Sequence, residues 1–189
     1  MKRTSAFLFA FLGFAAVAVF SACATVPYKV TGYFVSEKLD SYNGATVAVL
    51  PFRGGAGATV TDMANLELGR VNRWRLVERI RVAELYKEQD FDPDRVDDKT
   101  AAKIGRMLGA KAVVLGQVYE YTPGRCGVSM RLVDSETGEH LWQARDTLEY
   151  RNPGVRELAK GRFDYWRLRK DPEAMAFVTV RALAQTLSR

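Results

Sequence analysis

The chain has 189 residues, with 28 Lys and Arg against 22 Asp and Glu, one His and two Cys. That length suits one domain with a real core, and 48% hydrophobic with 26% charged residues argues against a disordered or collagen-like chain. Neither cysteine belongs to a Cys-x-x-Cys pair and only one histidine is present, so no disulfide framework, metal centre or cofactor is expected.

Met1-Lys2-Arg3 is a short positive start, and Ala6 to Phe20 is an apolar run without charge. The run is too short to span a bilayer comfortably and small residues follow it, so residues 1–22 read as a secretory signal peptide. Phe20-Ser21-Ala22-Cys23 resembles the lipobox of bacterial lipoproteins, with Phe20 where Leu is usual, and makes Cys23 the expected lipidation site. Ala22-Cys23-Ala24 also reads as a site for ordinary signal peptidase, with cleavage after Ala24. In an oxidising compartment Cys126 is then left without a partner, as a buried thiol or an intermolecular disulfide.

Ala24 to Asn43 shows no clear period, so residues 23–43 are expected to be a lipidated tether. An α/β domain is expected over 44–150 and a basic helical segment over 151–189. Ala45 to Phe52 is a β-branched run of the kind found in buried parallel strands. A glycine-rich turn follows, and Thr61 to Leu68 reads as a short helix. Arg75 to Glu78 reads as a strand, leading into a helix with Val82, Leu85 and Tyr86 on its apolar face. Asp97 or Asp98 caps a further helix carrying Ala101, Ile104 and Leu108, closed by Gly109.

Lys111 to Tyr121 begins as a continuous apolar strand, and Val128, Met130 and Leu132 alternate with polar neighbours as a half-buried one. Gly138 suits the turn into the return strand Leu141 to Tyr150. Asn152-Pro153 and Asp171-Pro172 each pair an N-cap with proline at the first helical position and start two C-terminal helices. The fold class is α/β, an α+β sandwich. It has a mixed sheet with parallel core strands, an antiparallel hairpin, flanking helices and a C-terminal helical pair.

The residues that invite chemistry are few. The loop after Phe52 lacks the Gly-Lys-Ser/Thr of a phosphate cradle, and Val60 stands where a third glycine would complete a dinucleotide motif. His140 sits just past a turn, and Ser129 lacks the second glycine of a nucleophile elbow. The acidic residues from Asp90 to Asp98 do not keep calcium-loop spacing. No catalytic residue is expected, and the chain is read as no enzyme. Between Arg151 and Lys170, Arg151, Arg156, Lys160, Arg162, Arg167, Arg169 and Lys170 meet only Glu157 and Asp164, with Phe163, Tyr165 and Trp166 interleaved. This segment reads either as the solvated face of a helix packing through Leu158 and Trp166, or as a contact of Arg156, Lys160, Arg162 and Arg167 with anionic headgroups or an acidic partner.

The order "TVAVLPF…RLVERIRVAELYKEQ…TAAKIGRMLGAKAVVLGQV…RLVDSETGEHLW" resembles the CsgG-type lipoprotein family, named for the curli secretion component. The matching residues are Pro51, Phe52, Val77, Glu78, Arg79, Leu85, Ala102, Gly105, Leu108, Gly109, Ala110, Gly116, Asp134, Thr137, Gly138 and Trp142, spread between Ala45 and Tyr150. The LpoB-type activators of cell-wall synthases are similar relatives. The resemblance implies a non-enzymatic envelope assembly or secretion accessory protein, or an activator docking on a synthase. It implies a place at the periplasmic face of the outer membrane, cell-envelope proteins as partners, no nucleic acid, and a homo-oligomer as one arrangement. An export channel would need spanning hairpins of about 9–11 alternating residues per strand. Only Thr122 to Cys126 separates the two strands that would carry one, so a peripheral protein that forms no pore is expected.

Overall fold

The computed structural model describes residues 28–188. Its strands are β1 (Gly32–Val35), β2 (Thr46–Val49), β3 (Arg75–Leu76), β4 (Ala112–Thr122), β5 (Arg125–Asp134) and β6 (His140–Glu149). The helices are α1 (Gly57–Val71), α2 (Arg79–Glu88), α3 (Asp98–Met107), α4 (Pro153–Ala159), α5 (Tyr165–Lys170) and α6 (Pro172–Ala184). The strands form one mixed sheet in the order β1-β6-β5-β4-β2-β3, with β2 parallel to β3 and β4 and the other pairs antiparallel.

The chain moves from β2 to β3 in one direction and returns past β2 to reach β4. Right-handed crossovers in opposite directions put their helices on opposite faces of a sheet. Val47, Val49 and Val114 accordingly pack with Val60, Ala64 and Leu68 of α1. Ala48, Leu50, Val113 and Leu115 pack with Val82 and Tyr86 of α2 and Ala101 and Ile104 of α3. The face of α1 extends across β5 and β6, where Val128, Met130, Leu132 and Trp142 meet Met175, Val178 and Leu183 of α6. Alternation along β5 therefore leaves Gly127, Ser129 and Arg131 on the opposite face.

The expected fold class holds, with three local differences. Residues 28–43 are part of the fold. β1 pairs with β6 and a 3-10 turn, Glu37–Tyr42, buries Leu39 and Tyr42. Helix α1 begins at Gly57, four residues before the expected start, and α5 is a third C-terminal helix, capped by the Asp164 side chain on the Arg167 amide. Ten of the thirteen residues of α6 are buried, so the C-terminal segment belongs to the same core.

Gly109 follows α3 at φ +66°, the left-handed conformation expected of it. Gly116 in β4 makes room for an aromatic ring: a Cβ there would lie 2.3 Å from the Phe52 ring. Gly109→Val should cost about 1–2 kcal/mol through backbone strain alone. Gly116→Val should cost more, because the displaced ring adds an overpacking penalty of about 1–3 kcal/mol. Thermal melts that rank the two variants in the other order would contradict this packing.

The turn between β5 and β6 is tied to the N-terminal segment by Asp134. Its Oδ1 accepts from the amides of Glu136 (2.9 Å) and Thr137 (2.6 Å) and from the Thr137 hydroxyl (2.9 Å). Its Oδ2 accepts from the Tyr42 hydroxyl at 2.5 Å. Burial alone would raise the Asp134 carboxyl, but these donors together hold it below the usual carboxylate range. A lowered folded value means the stabilisation is complete above about pH 4, the unfolded value, and is lost as pH falls through the folded value. Asp134→Asn should therefore be less stable than wild type in urea near neutral pH, and the gap should close in acid.

Candidate interaction surfaces

The glycine loop and His140 are engaged in structure, and Ser129 stands apart from His140. Phe52 donates its amide to the Thr61 hydroxyl (2.9 Å), which donates to the Gly57 carbonyl (2.7 Å), so the glycine loop is stitched to the first turn of α1. The Arg53 guanidinium donates to the Val96 carbonyl. His140 Nε2 lies 2.8 Å from Asp98 Oδ2, and Arg131 Nε donates to Asp98 Oδ1 at 2.7 Å. Ser129 pairs with Arg145 across the sheet, whereas His140 pairs with Val133. The two are thus about 13 Å apart along β5, too far to act as nucleophile and base.

Asp92 caps the 3-10 turn Pro93–Arg95 through the Asp94 amide, and Asp97 caps α3 through the Thr100 amide (2.7 Å). Among the described residues no group of three or more His, Cys, Asp or Glu side chains is placed to hold a metal ion. Cys126 is a free, buried thiol on the α6 side of β5, and burial pushes it up to about 12, the environment of an unreactive cysteine.

Two surfaces stand out instead. Helices α2 and α3 cover β3, β2 and β4, and their core cluster reaches β5 only at Val133. Across β5, β6 and β1 this face is open. Tyr119 lies flat over Gly127, where a Cβ would come within 2.4 Å of its ring, and its hydroxyl donates to the Asp146 carbonyl at 2.7 Å. The Arg145 guanidinium sits 4.5 Å above the Tyr119 ring. Phe34 is opposite Gln143 on β6 and is 52% exposed. A flat aromatic–arginine surface backed by a sheet is the composition of a protein contact.

The second surface is the basic segment. Asn152 caps α4 through the Gly154 amide (2.9 Å), and Arg156 on this helix and Lys160 just after it are exposed, Lys160 donating to Glu157 at 3.3 Å. Arg162 lies 3.9 Å above the Phe177 ring, and Arg167 donates to Asp171 at 3.1 Å, so both are committed partly to the fold. Trp166 is 60% exposed, with the Arg169 guanidinium 5.7 Å and the Lys170 ammonium 5.9 Å from its ring centre. The sequence marks this segment by charge, but it does not separate the cations packed onto α6 from those around Trp166. Cys23, the expected lipidation site, lies outside the described residues.

A family model described as the curli production assembly/transport component CsgG matches residues 28–127. No curated protein matches the chain. The crystal structure of lipoprotein GNA1162 from Neisseria meningitidis is 20% identical, with 56% of this chain and 80% of that one covered and a TM-score of 0.48. LpoB from E. coli, solved by NMR, is 15% identical over 78% of this chain and 83% of that one, with a TM-score of 0.48. The PelC dodecamer from Paraburkholderia phytofirmans is 16% identical over 74% of this chain and 88% of that one, with a TM-score of 0.42.

If the open sheet face serves contact rather than folding, its exposed side chains should be dispensable for stability. Phe34→Ser and Gln143→Glu should each shift unfolding by no more than about 0.5 kcal/mol. Tyr119→Ala, which uncovers the backbone at Gly127, should cost about 1 kcal/mol or more. Chemical denaturation of the three variants measures this contrast.

Proposed function

Because the chain belongs to the CsgG family of curli production assembly/transport components, we propose that it is a lipid-anchored lipoprotein at the periplasmic face of the outer membrane. There it serves as a non-enzymatic accessory in envelope assembly or secretion. The family match over residues 28–127 carries this reading. The lipobox-like Phe20-Ser21-Ala22-Cys23 supports the anchor, and the engagement of His140 and the glycine loop in structure, with Ser129 distant from His140 along the sheet, supports a role without catalysis. In this reading residues 1–22 are the signal peptide and Cys23 carries the lipid.

Work of this kind is protein contact, and the open half of the sheet supplies the surface for it. Phe34, Gln143, Arg145 and Tyr119 are the side chains a partner from the cell envelope, or a second copy of the chain, would meet. An activator docking on a cell-wall synthase is the alternative role, and the same exposed face supports it. The two roles separate on glycan polymerisation, which only an activator accelerates in a purified system.

Lipidation is tested by metabolic labelling with a palmitate analogue. The wild-type protein should carry the label and fractionate with the outer membrane, and Cys23→Ser should lose both. Label that survives Cys23→Ser, or none on the wild type, would remove the anchor from the proposal.

A further inference from the structure

The first described residue is held against the basic segment. Tyr28 donates its hydroxyl to Asp146 Oδ2 at 3.0 Å, and its backbone passes so close over α4 that a Cβ on Gly154 would lie 2.7 Å from the Tyr28 nitrogen. Tyr28 and Lys160 line one shallow pocket. The same segment carries a cluster of aromatic rings and cations. The Arg156 guanidinium lies 5.7 Å from the Tyr165 ring centre, and the Tyr165 and Trp166 rings are 6.0 Å apart. Arg169 and Lys170 flank Trp166, and the Tyr150 ring stands 5.4 Å from Tyr165.

Cys23 precedes Tyr28 by five residues. A fully extended chain of that length spans about 18 Å at most. If Cys23 carries the lipid, as proposed above, the leash between bilayer and fold is therefore no longer than a small domain's radius. The end of the molecule that bears Tyr28 and α4 cannot then move far from the headgroups.

We propose that this end is the membrane-seating face. Trp166 enters the boundary between headgroups and acyl chains, and Lys160, Arg169 and Lys170 contact anionic headgroups. The contact fixes how the domain sits beneath its anchor, and it rests on the lipid-anchor reading. An indole has an apolar body and one polar N–H, which suits that boundary. Lysine and arginine stems lie along apolar surface while their charged ends stay with the headgroups. The excess of positive charge matches a lipid surface of the opposite sign, and each cation near such a surface is worth about a fivefold gain in binding. Arg162 and Arg167, candidates from the sequence for the same role, are drawn toward Phe177 and Asp171 and contribute less.

The test uses the full-length lipidated protein reconstituted into phosphatidylethanolamine–phosphatidylglycerol vesicles with brominated acyl chains. Of the three tryptophans, Trp74 is 7% exposed and Trp142 is fully buried, so quenching by the acyl chains reports Trp166. Wild type should show quenching that Trp166→Phe abolishes. Arg169→Gln combined with Lys170→Gln should weaken it several-fold, and so should high salt, since exposed charges are screened beyond about 8 Å at physiological ionic strength. Vesicle-bound protein whose Trp166 is untouched by bromolipid but open to aqueous iodide would overturn the proposal and return this surface to a protein partner. Quenching that is equal in purely zwitterionic vesicles would also overturn it, since the headgroup contact would then be absent. The anchor is scored separately by flotation of wild type and Cys23→Ser at high salt. Loss of the anchor reading would appear there, whatever the quenching shows.

Discussion

The fold depends on the burial of α6. Its sequence, Pro172 to Ala184, is apolar nearly all round, and a helix of that kind is stable only when surrounded. It lies with α1 on one side and β5 and β6 on the other, and Trp142 donates its indole N–H to Thr186 just beyond it at 2.8 Å. Without α6, the inward residues of β5 and β6, including Met130, Leu132 and Ala144, would face water. The C-terminal residues thus complete the core that the family-matched residues begin, and the Glu67 carboxylate of α1 accepts from Arg181 at 3.2 Å across the same contact.

The opposite face follows a different rule. Two helices are enough to cover three strands, and the antiparallel strands added beyond β4 have no helix of their own there. An antiparallel sheet tolerates one solvated face, whereas a parallel one does not. The parallel part of this sheet is accordingly covered on both sides and the antiparallel part on one. The exposed half carries tyrosine, phenylalanine and arginine where solvated strands usually carry short polar residues.

Much of this was legible in the sequence because the signals were local. Asn152-Pro153, Asp171-Pro172 and Asp97 cap helices as their residue types require, and Gly109 and Gly138 take positive φ where a helix and a turn end. The strand β1 was not legible, because all four of its residues are exposed and no alternation marks them. It exists through pairing with β6, more than a hundred residues away. Helix α5 leaves a weak sequence signal for a similar reason, since only Leu168 of its six residues is buried. The basic segment was visible as composition, but its division between packed and free cations is set by Phe177, Phe163 and Asp171. That information lies in tertiary placement.

The position of β1 also has a consequence for the order in which the molecule can assemble. Synthesis from the N-terminus delivers Gly32 to Val35 first, yet their hydrogen-bonding partners lie between Trp142 and Arg145. Tyr28 likewise waits for Asp146, 118 positions later. Until β6 emerges, the residues of β1 have no ladder to join and Phe34 and Val35 are available to other strands. Contacts of such sequence separation form late, after the loop they close has been collapsed by the core. The N-terminal strand is therefore the last part of the sheet to be locked.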